Sequence, residues 1–407
     1  MRTVLSCAAL PLLSVRILAA DWPEFRGPTG QGHSAETDLP IAWGERRNIA
    51  WKVPIAGRGW SSPVLLGPRV WITTATDGDR SLRAVALDRE SGRAVHDIEI
   101  FRLDSKPRLH SKNTPASPTP LLEPGRVYVH FGSLGTACLS ADDGKVLWRT
   151  RELKFEHGHG PGGSPASFKD LLIINCDGTD RQFVVGLEKE TGRVRWRSDR
   201  EGRMAYSTPL VIRAAGVDQV VSTGGDRVIS YDPATGREIW RSEYSGGYSL
   251  VPRPIFGGGL VFVVSGYDRP VLYAIRPEGK GDVTATHVAW KLDRGAPHNP
   301  SPLLVGDRLF VLSDRGILTC LQAATGEEVW RQRLEGDYSA SPVHAGGRIY
   351  LQSEEGDTTV IEAEGRYRQL AMNRLEGRTL ASLAVSDGAI FIRSDRHLYR
   401  IGRTKKP

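Results

Sequence analysis

The sequence predicts an all-β protein, an eight-bladed β-propeller, and three observations support this. A glycine followed four positions later by tryptophan recurs, at Gly144–Trp148, Gly192–Trp196, Gly236–Trp240 and Gly326–Trp330. A small residue and a proline open each unit at similar spacing. No segment keeps an apolar period of 3.6 residues beyond one or two turns, so no long amphipathic helix is expected. A repeat of roughly 40 to 50 residues is typical of propellers.

The number of unit openings in the sequence gives the number of blades. Seven are Ser62-Pro63, Ser117-Pro118, Ser164-Pro165, Thr208-Pro209, Arg253-Pro254, Ser301-Pro302 and Ser341-Pro342, and Ser382-Leu383 is an eighth without proline. Alternating apolar runs follow, such as Arg126–Phe131 and Arg308–Leu312. Runs of this kind between Gly, Asp and Ser predict short antiparallel strands. We expect four strands per blade: one after the proline, one in the apolar run, one before the turn and one ending on tryptophan.

The two ends of the chain indicate how the ring closes. The last unit runs from Ser382 to Ile401 without a closing tryptophan, whereas Asn48–Val53 is a tryptophan strand with no blade before it. We therefore predict that the strand of Trp51 is the outer strand of the last blade, a closure that removes exposed sheet edges. Three units are irregular: His96 replaces tryptophan in the first, Pro277–Thr286 is an insertion in the fifth, and the seventh is indistinct near Gly365.

The repeat residues are expected to be structural. A glycine adopts the positive φ of a tight turn, and a tryptophan fills a large volume between blades. The chain contains Cys138, Cys176 and Cys320 after its first twenty residues, an odd number that argues against a disulfide framework. Cys138 and Cys320 occupy the same repeat position in different blades, so we expect them to be buried core residues.

Composition and termini define the predicted domains. The formal net charge is +7, with acidic and basic residues interspersed, so no nucleic-acid-binding stripe is expected. Residues 1–20 resemble a signal peptide with a short apolar run, which is too short for a transmembrane helix. We predict a single propeller domain over residues 21–402 and a basic tail over 403–407. The protein is then exported, to a bacterial periplasm or the medium.

One repeat pattern resembles a known family. The pattern (Ala/Cys/Ser)-x-(Asp/Glu/Gln)-x-x-(Thr/Asp)-Gly-x-x-x-Trp, found in Ser230–Trp240 and Cys320–Trp330, is similar to the PQQ-type propeller repeat. That repeat builds the eight-bladed quinoprotein alcohol dehydrogenases and the propeller lipoprotein of the outer-membrane β-barrel assembly machinery. The opening Asp21–Pro28 resembles the start of many exported bacterial PQQ-like propellers. The resemblance covers Trp22 to Ile401 and implies the fold more strongly than any cofactor.

The sequence lacks the features that the resemblance implies for a quinoprotein dehydrogenase. There is no adjacent cysteine pair, and no Asp/Glu/Asn cluster has the spacing of calcium ligands. Asp177 and Asp180 are expected to be turn residues rather than ligands. His157 and His159 lack an identifiable third metal ligand. We therefore predict no catalytic residues, no metal and no cofactor; PQQ with calcium is the alternative.

Candidate binding residues lie in the loops that connect successive blades. These loops open on one face around the central channel, and loops on a rigid scaffold are where binding residues concentrate. The predicted ligand-binding residues at this channel mouth are Trp60, His110, Lys112, Asn113, His157, His159, Tyr206, Tyr248, Arg253, His298, Asn299, Tyr338 and Arg378.

Three functional hypotheses follow. The first is an exported, non-catalytic scaffold that binds a protein or peptide of the cell envelope at the channel mouth. The second is a PQQ- or quinone-dependent oxidoreductase. The third is a propeller that binds a carbohydrate or a small anion, since Lys112 and Arg253 would attract negative charge. The first is preferred because the blades are lean and the sequence carries no catalytic motif.

Overall fold

A computed structural model describes residues 21–244 and 246–402 and confirms the eight-bladed propeller. Each blade is an antiparallel sheet of four strands, and two blades carry one additional short strand. The predicted signal peptide and basic tail lie outside the described residues. Within those residues, no helix is long and apolar enough to span a membrane.

The strands follow the predicted order of four per blade. Before the first blade come β1 (His33–Ser34) and β2 (Ile49–Pro54). Blade 1 has β3 (Val64–Leu66), β4 (Arg69–Thr76), β5 (Ser81–Asp88) and β6 (Ala94–Arg102). Blade 2 has β7 (Leu121–Glu123), β8 (Arg126–His130), β9 (Thr136–Ser140) and β10 (Val146–Thr150). Blade 3 has β11 (Ala166–Phe168), β12 (Leu171–Asp177), β13 (Gln182–Glu188) and β14 (Val194–Arg200).

The second half of the ring repeats this arrangement. Blade 4 has β15 (Leu210–Ala214), β16 (Val217–Gly224), β17 (Arg227–Tyr231) and β18 (Glu238–Glu243). Blade 5 has β19 (Ile255–Gly257), β20 (Leu260–Val264), β21 (Leu272–Ile275) and β23 (Val288–Leu292), with β22 (Gly281–Asp282) in its insertion. Blade 6 has β24 (Leu303–Val305), β25 (Arg308–Leu312), β26 (Ile317–Gln322) and β27 (Glu328–Arg333). Blade 7 has β28 (Val343–Ala345), β29 (Arg348–Gln352), β30 (Asp357–Glu362) and β31 (Gln369–Arg374), and blade 8 has β32 (Ala384–Ser386), β33 (Ala389–Arg393) and β34 (His397–Ile401).

The predicted closure of the ring is confirmed. Strand β2 pairs antiparallel with β34, with Trp51 opposite Arg400, and supplies the outer strand of blade 8. The two additional strands are both parallel. Strand β22, from the predicted insertion, lies beside β18 of blade 4, and β1 lies beside β28 of blade 7.

One predicted opening is displaced by two residues. The inner strand of blade 2 begins at Leu121, so Thr119-Pro120 rather than Ser117-Pro118 occupies the position of Ser62-Pro63 in blade 1. The sequence offers two consecutive hydroxyl–proline pairs here. The structure selects the second because Thr119 Oγ1 accepts the backbone N–H of Ser62 from blade 1.

Five of the six repeat tryptophans donate a hydrogen bond to the next blade, whereas Trp240 donates to Gln219 of its own blade 4. The indole Nε1 donates to a carbonyl in the neighbouring turn in five cases: Trp51 to Arg89, Trp148 to Lys189, Trp196 to Pro233, Trp290 to Ala323 and Trp330 to Gly365. In the irregular first blade, His96 Nε2 lies 3.1 Å from Asp142 O and replaces this contact. Blades 1 and 5, two of the three irregular units, therefore keep this contact with the next blade.

A belt of hydroxyl groups joins the inner ends of the blades. The residue two positions before the inner strand of a blade donates its backbone N–H to the hydroxyl at the same position of the next blade. This bond is present in six of the eight steps around the ring: Ser62 to Thr119, Thr119 to Ser164, Ser164 to Thr208, Arg253 to Ser301, Ser301 to Ser341 and Ser341 to Ser382. These distances are 2.9–3.0 Å. The small hydroxyl residues of the repeat are thus a second set of contacts between blades.

The segment from Asp21 to Asp38 crosses the ring on the side of the turns between first and second strands. It bonds to blade 1 through Trp22 and Leu65, to blade 2 through Pro23 O, and to blade 7 through Gly32 O. Glu36 accepts the backbone N–H groups of Asp387 and Gly388 in blade 8. We call this side the hairpin face; the segment contacts blades 1, 2, 7 and 8 there.

Candidate functional site

The opposite side of the ring is the mouth face. Because the strands of each blade alternate in direction, the loops between blades and the turns between second and third strands emerge on the same side. Twelve of the thirteen predicted residues lie on loops of this face or beneath them; Arg253 is the exception. A groove of about 430 Å³ lies elsewhere, between the hairpins of blades 1 and 2, where Trp71 and Arg126 line it.

Acidic residues in the turns between second and third strands hold the loops of the mouth face. Asp314 accepts the backbone N–H groups of His298 at 2.6 Å and Asn299 at 3.1 Å. Asp180 accepts the backbone N–H of Glu156 at 2.7 Å. Burial acts to raise the pKa of Asp314, but the hydrogen bonds from His298 and Asn299 outweigh it and lower this pKa. These acids fix the loop positions rather than offering free charge.

Two predicted cations meet at a buried carboxylate. Lys112, from the loop between blades 1 and 2, places Nζ 2.9 Å from Glu354 of blade 7, and Arg378 places Nη2 3.1 Å from the same carboxylate. Ser339 Oγ donates to Glu354 at 2.5 Å. Glu354 is 5% exposed, whereas the Lys112 and Arg378 side chains are about half exposed, at 49% and 52%. Two cations thus share one carboxylate, and the cluster keeps one net positive charge at the mouth face.

Three loops meet around His159. His110 donates its backbone N–H to His159 O, Asn113 Nδ2 donates to the same carbonyl at 2.8 Å, and Tyr206 Oη accepts the backbone N–H of His159 at 3.0 Å. The rings of His110 and His159 are 5.4 Å apart. Burial, and then the nearby His110, lower the pKa of His159, so the neutral form is favoured. The predicted residues of this group are brought together, bonded mainly to each other's backbone.

His157 is partly buried and packs against the turn between the second and third strands of blade 2. Its Nε2 accepts the backbone N–H of Ser133 at 2.9 Å, and its ring stacks edge-on with Phe155 at 4.6 Å. Burial lowers its pKa to about 4. His157 is therefore a neutral side chain in this structure that supports the loop of His159.

An exposed aromatic row extends along the mouth face at blades 4 to 6. The guanidinium of Arg203 lies over the Tyr248 ring at 4.8 Å, Tyr248 contacts Tyr267 at 5.7 Å, and Tyr267 contacts His298 at 5.3 Å. Tyr267 is 53% exposed. We define Arg203, Tyr248, Tyr267 and His298 as the aromatic row.

The other predicted residues lie apart from these clusters. Trp60 is half-buried at the start of blade 1, and Tyr338 is buried with its hydroxyl on Glu335 O. Arg253 is not on the rim. It lies inside the ring with its guanidinium against the N-terminal segment, where it donates to Phe25 O and to Glu24.

Glu354, Tyr267, Asp314 and Arg203 were missed by the sequence reasoning, which considered the blade-to-blade loops for the mouth. The first three lie in turns between second and third strands, and Arg203 lies in a loop between blades. The phrases Ser313-Asp314-Arg315-Gly316 and Ser353-Glu354-Glu355-Gly356 repeat in consecutive units. That repeat was a usable signal, because these turns must open on the same face as the loops.

The described residues do not fit a calcium–PQQ site. Among them, no group of three His, Cys, Asp or Glu side chains is placed to hold a metal ion. The three cysteines there are free and buried in separate blades. Asp177 forms a buried pair with Arg200, with Arg200 Nε 2.9 Å from Asp177 Oδ1, and is not a free ligand. Glu354 is likewise occupied by Lys112, Arg378 and Ser339.

Fold and repeat together define a β-propeller built from PQQ-like repeats. The chain belongs to the family described as outer membrane protein assembly factor BamB, which it matches over residues 35–152, 133–217, 180–300 and 279–380. No curated protein sequence matched the chain.

Solved structures share the fold at low sequence identity. BamB from Moraxella catarrhalis superposes with a TM-score of 0.62 at 14% identity, covering 88% of this chain and 98% of that one. Quinohemoprotein alcohol dehydrogenase from Comamonas testosteroni gives 0.66 at 12%, covering 95% and 82%. A quinohemoprotein alcohol dehydrogenase from Pseudomonas putida HK5 gives 0.64 at 10%, covering 96% and 81%. At such identities the likeness establishes the architecture alone.

Proposed function

We propose that this chain is an exported, non-catalytic scaffold that binds a protein or peptide of the cell envelope through its mouth face. The observation that carries the proposal is the aromatic row, in which Tyr267 is 53% exposed and packs between Tyr248 and His298. Tyrosine and arginine are enriched at the centres of protein interfaces, because they bury large areas and retain a polar group for hydrogen bonding.

The charged part of the mouth face supports the same proposal. Lys112 and Arg378 share Glu354 as their ion-pair partner, so part of their positive charge is compensated within the protein and their positions are fixed. Their half-exposed side chains lie beside a buried carboxylate, an arrangement typical of a polar interface rim. We assign the mouth-face residues His110, Asn113, His159, Tyr206 and Asn299 to the edge of this surface.

The family description supports a location in the cell envelope. It names an outer membrane assembly factor, and residues 1–20 read as a signal peptide. We therefore propose that residues 21–402 act as one exported propeller, with residues 403–407 as a basic tail. A non-catalytic role agrees with the poor fit of the described residues to a calcium–PQQ site.

The proposal is tested by capture from an envelope extract, followed by binding measurements with the purified partner. The Tyr248→Ser/Tyr267→Ser double variant should weaken the partner's affinity at least about tenfold, because each buried interface tyrosine contributes about 1 kcal/mol or more. Tyr367→Ser is the matched control, since Tyr367 lies beside Trp330, outside the aromatic row. Equal affinity of the double variant and wild type would overturn the mouth-face location.

A separate titration tests the non-catalytic part. We expect no heat when PQQ is titrated into the purified protein by calorimetry, with or without calcium. Micromolar or tighter binding would overturn the proposal and favour the oxidoreductase hypothesis, and redox-dye assays with alcohols and sugars would follow.

A further inference from the structure

A buried cationic pair lies inside the ring, where Arg26 of the N-terminal segment is near Arg253 of blade 5. Arg26 is 1% exposed and Arg253 is 2% exposed. Arg253 Nη2 lies 3.3 Å from the Glu24 carboxylate, whereas Arg26 forms no ion pair with a carboxylate among the described residues and bonds only to backbone carbonyls. The two guanidinium groups and the single carboxylate therefore leave one excess positive charge in the interior.

The hydrogen bonds of Arg26 are incomplete. Its Nη2 donates to Pro302 O at 2.8 Å and to Gln31 O at 3.1 Å. Its Nε and Nη1 are buried and have no hydrogen-bond partner among the described residues. A guanidinium carries five N–H donors, and a buried charged donor without a partner is costly. The site therefore has both a positive charge and open donors.

The charge state of the cluster strengthens the electrostatic argument. Burial, and then repulsion from Arg253, lower the pKa of Arg26 to about 9, so this guanidinium remains charged at neutral pH. Burial raises the pKa of Glu24 despite the opposing effect of Arg253, which makes its negative charge harder to maintain. Glu24, which is paired with Arg253, therefore does not compensate the charge of Arg26.

We propose that the interior of the ring binds a small inorganic anion of the halide class at the unpartnered N–H groups of Arg26. The neighbouring backbone favours a monatomic ion, because the chain passes very close to both guanidinium groups. A Cβ on Gly32 would lie 3.3 Å from the unpartnered Arg26 Nε and 2.8 Å from Nη2, and one on Gly30 would lie 2.4 Å from Arg253 Nη1. The anion would fix the N-terminal segment to the ring, independently of any partner at the mouth face.

Crystals of the protein soaked in sodium bromide test the site directly by anomalous diffraction. We expect a bromide peak within hydrogen-bonding distance of Arg26 Nε or Nη1. Arg393 is an internal control: it is 2% exposed and forms no ion pair with a carboxylate among the described residues, but its Nη1 donates to Ser61 and to Thr73 O. Water alone at Arg26, or an equal peak at Arg393, would overturn the proposal.

Thermal unfolding supplies a second measurement. At equal ionic strength, sodium chloride should raise the unfolding midpoint above that in sodium gluconate, saturably and on the order of 2 °C. Arg26→Met should abolish this chloride-specific increase, and an equal increase in that variant would overturn the proposal. If Arg26→Met does not fold, the bromide experiment on the wild-type protein decides.

Discussion

At the residue scale, the repeat glycines combine two requirements. Gly192 has a φ of +73°, and a Cβ there would lie 2.5 Å from the Trp148 ring of the preceding blade. Gly236 has the same φ and approaches Trp196 in the same way. The glycine therefore turns the chain and also receives the neighbouring tryptophan, which explains why the two residues recur together.

Replacement of Gly192 by alanine separates these two requirements. We expect Gly192→Ala to lower the free energy of unfolding by about 3 kcal/mol or more, because it combines backbone strain with a clash against Trp148. Gly216→Ala is the matched control, since Gly216 has a φ of +77° and nothing within 4 Å of its Cβ position. It should lose only about 1 kcal/mol. Denaturant unfolding measures both, and equal losses would refute the close-contact argument.

At the element scale, the blades are joined near the channel by the hydroxyl belt. Ser164 Oγ accepts the backbone N–H of Thr119 at 2.9 Å and is 4% exposed. The belt is interrupted between blades 4 and 5, because Arg253 has a guanidinium where the other blades have a hydroxyl acceptor. Arg253 still donates its backbone N–H to Ser301, so the change affects only the acceptor side.

Removal of one belt hydroxyl should weaken the contact between two blades. We expect Ser164→Ala to cost about 1–3 kcal/mol of unfolding free energy, because it leaves the buried N–H of Thr119 without its acceptor. Ser164→Thr should retain most of the stability, since threonine occupies the same position in blades 2 and 4. Thermal or denaturant unfolding compares the three proteins, and a loss in the threonine variant as large as in the alanine variant would contradict the hydroxyl's role.

The predictability of each element follows from how local its signal is. The strands, the tryptophan contacts and the ring closure by Trp51 were predictable because alternation and repeat spacing are encoded within one unit. The start of blade 2 was not, because Ser117-Pro118 and Thr119-Pro120 carry the same local signal. The mouth cluster around Glu354 needed contacts between distant loops, so only Lys112 and Arg378 were anticipated.

At the scale of the whole molecule, the N-terminal segment Asp21–Asp38 connects blades that are not neighbours in the ring. Arg253 donates a hydrogen bond to the carbonyl of Phe25, and the repeat pattern does not predict this contact between residues far apart in sequence. His33 and His344 face each other across β1 and β28, with their Nδ1 atoms 3.4 Å apart. The segment thereby links blades that the repeat alone leaves separate.

Burial of several histidines makes the stability of the whole ring sensitive to acid. Burial lowers the pKa of His33 and of His157 to about 4, and that of His130 to about 3. In the unfolded chain these groups titrate near 6.5, so between pH 6.5 and about 4 the unfolded state binds protons that the folded state excludes. The contribution is fully present above pH 6.5 and is lost progressively below it. Buried Glu24, whose pKa is raised, acts in the opposite sense.

Replacement of one histidine isolates its contribution from that of Glu24. We expect His157→Gln, which keeps an acceptor for the backbone N–H of Ser133, to reduce the pH dependence of the unfolding free energy. The reduction should approach 1.4 kcal/mol per pH unit between pH 6 and 4.5, because one proton fewer is taken up on unfolding. Denaturant unfolding at half-unit pH steps measures the slope for both proteins. An unchanged slope would mean that His157 is protonated in the folded ring, which conflicts with its bond to Ser133.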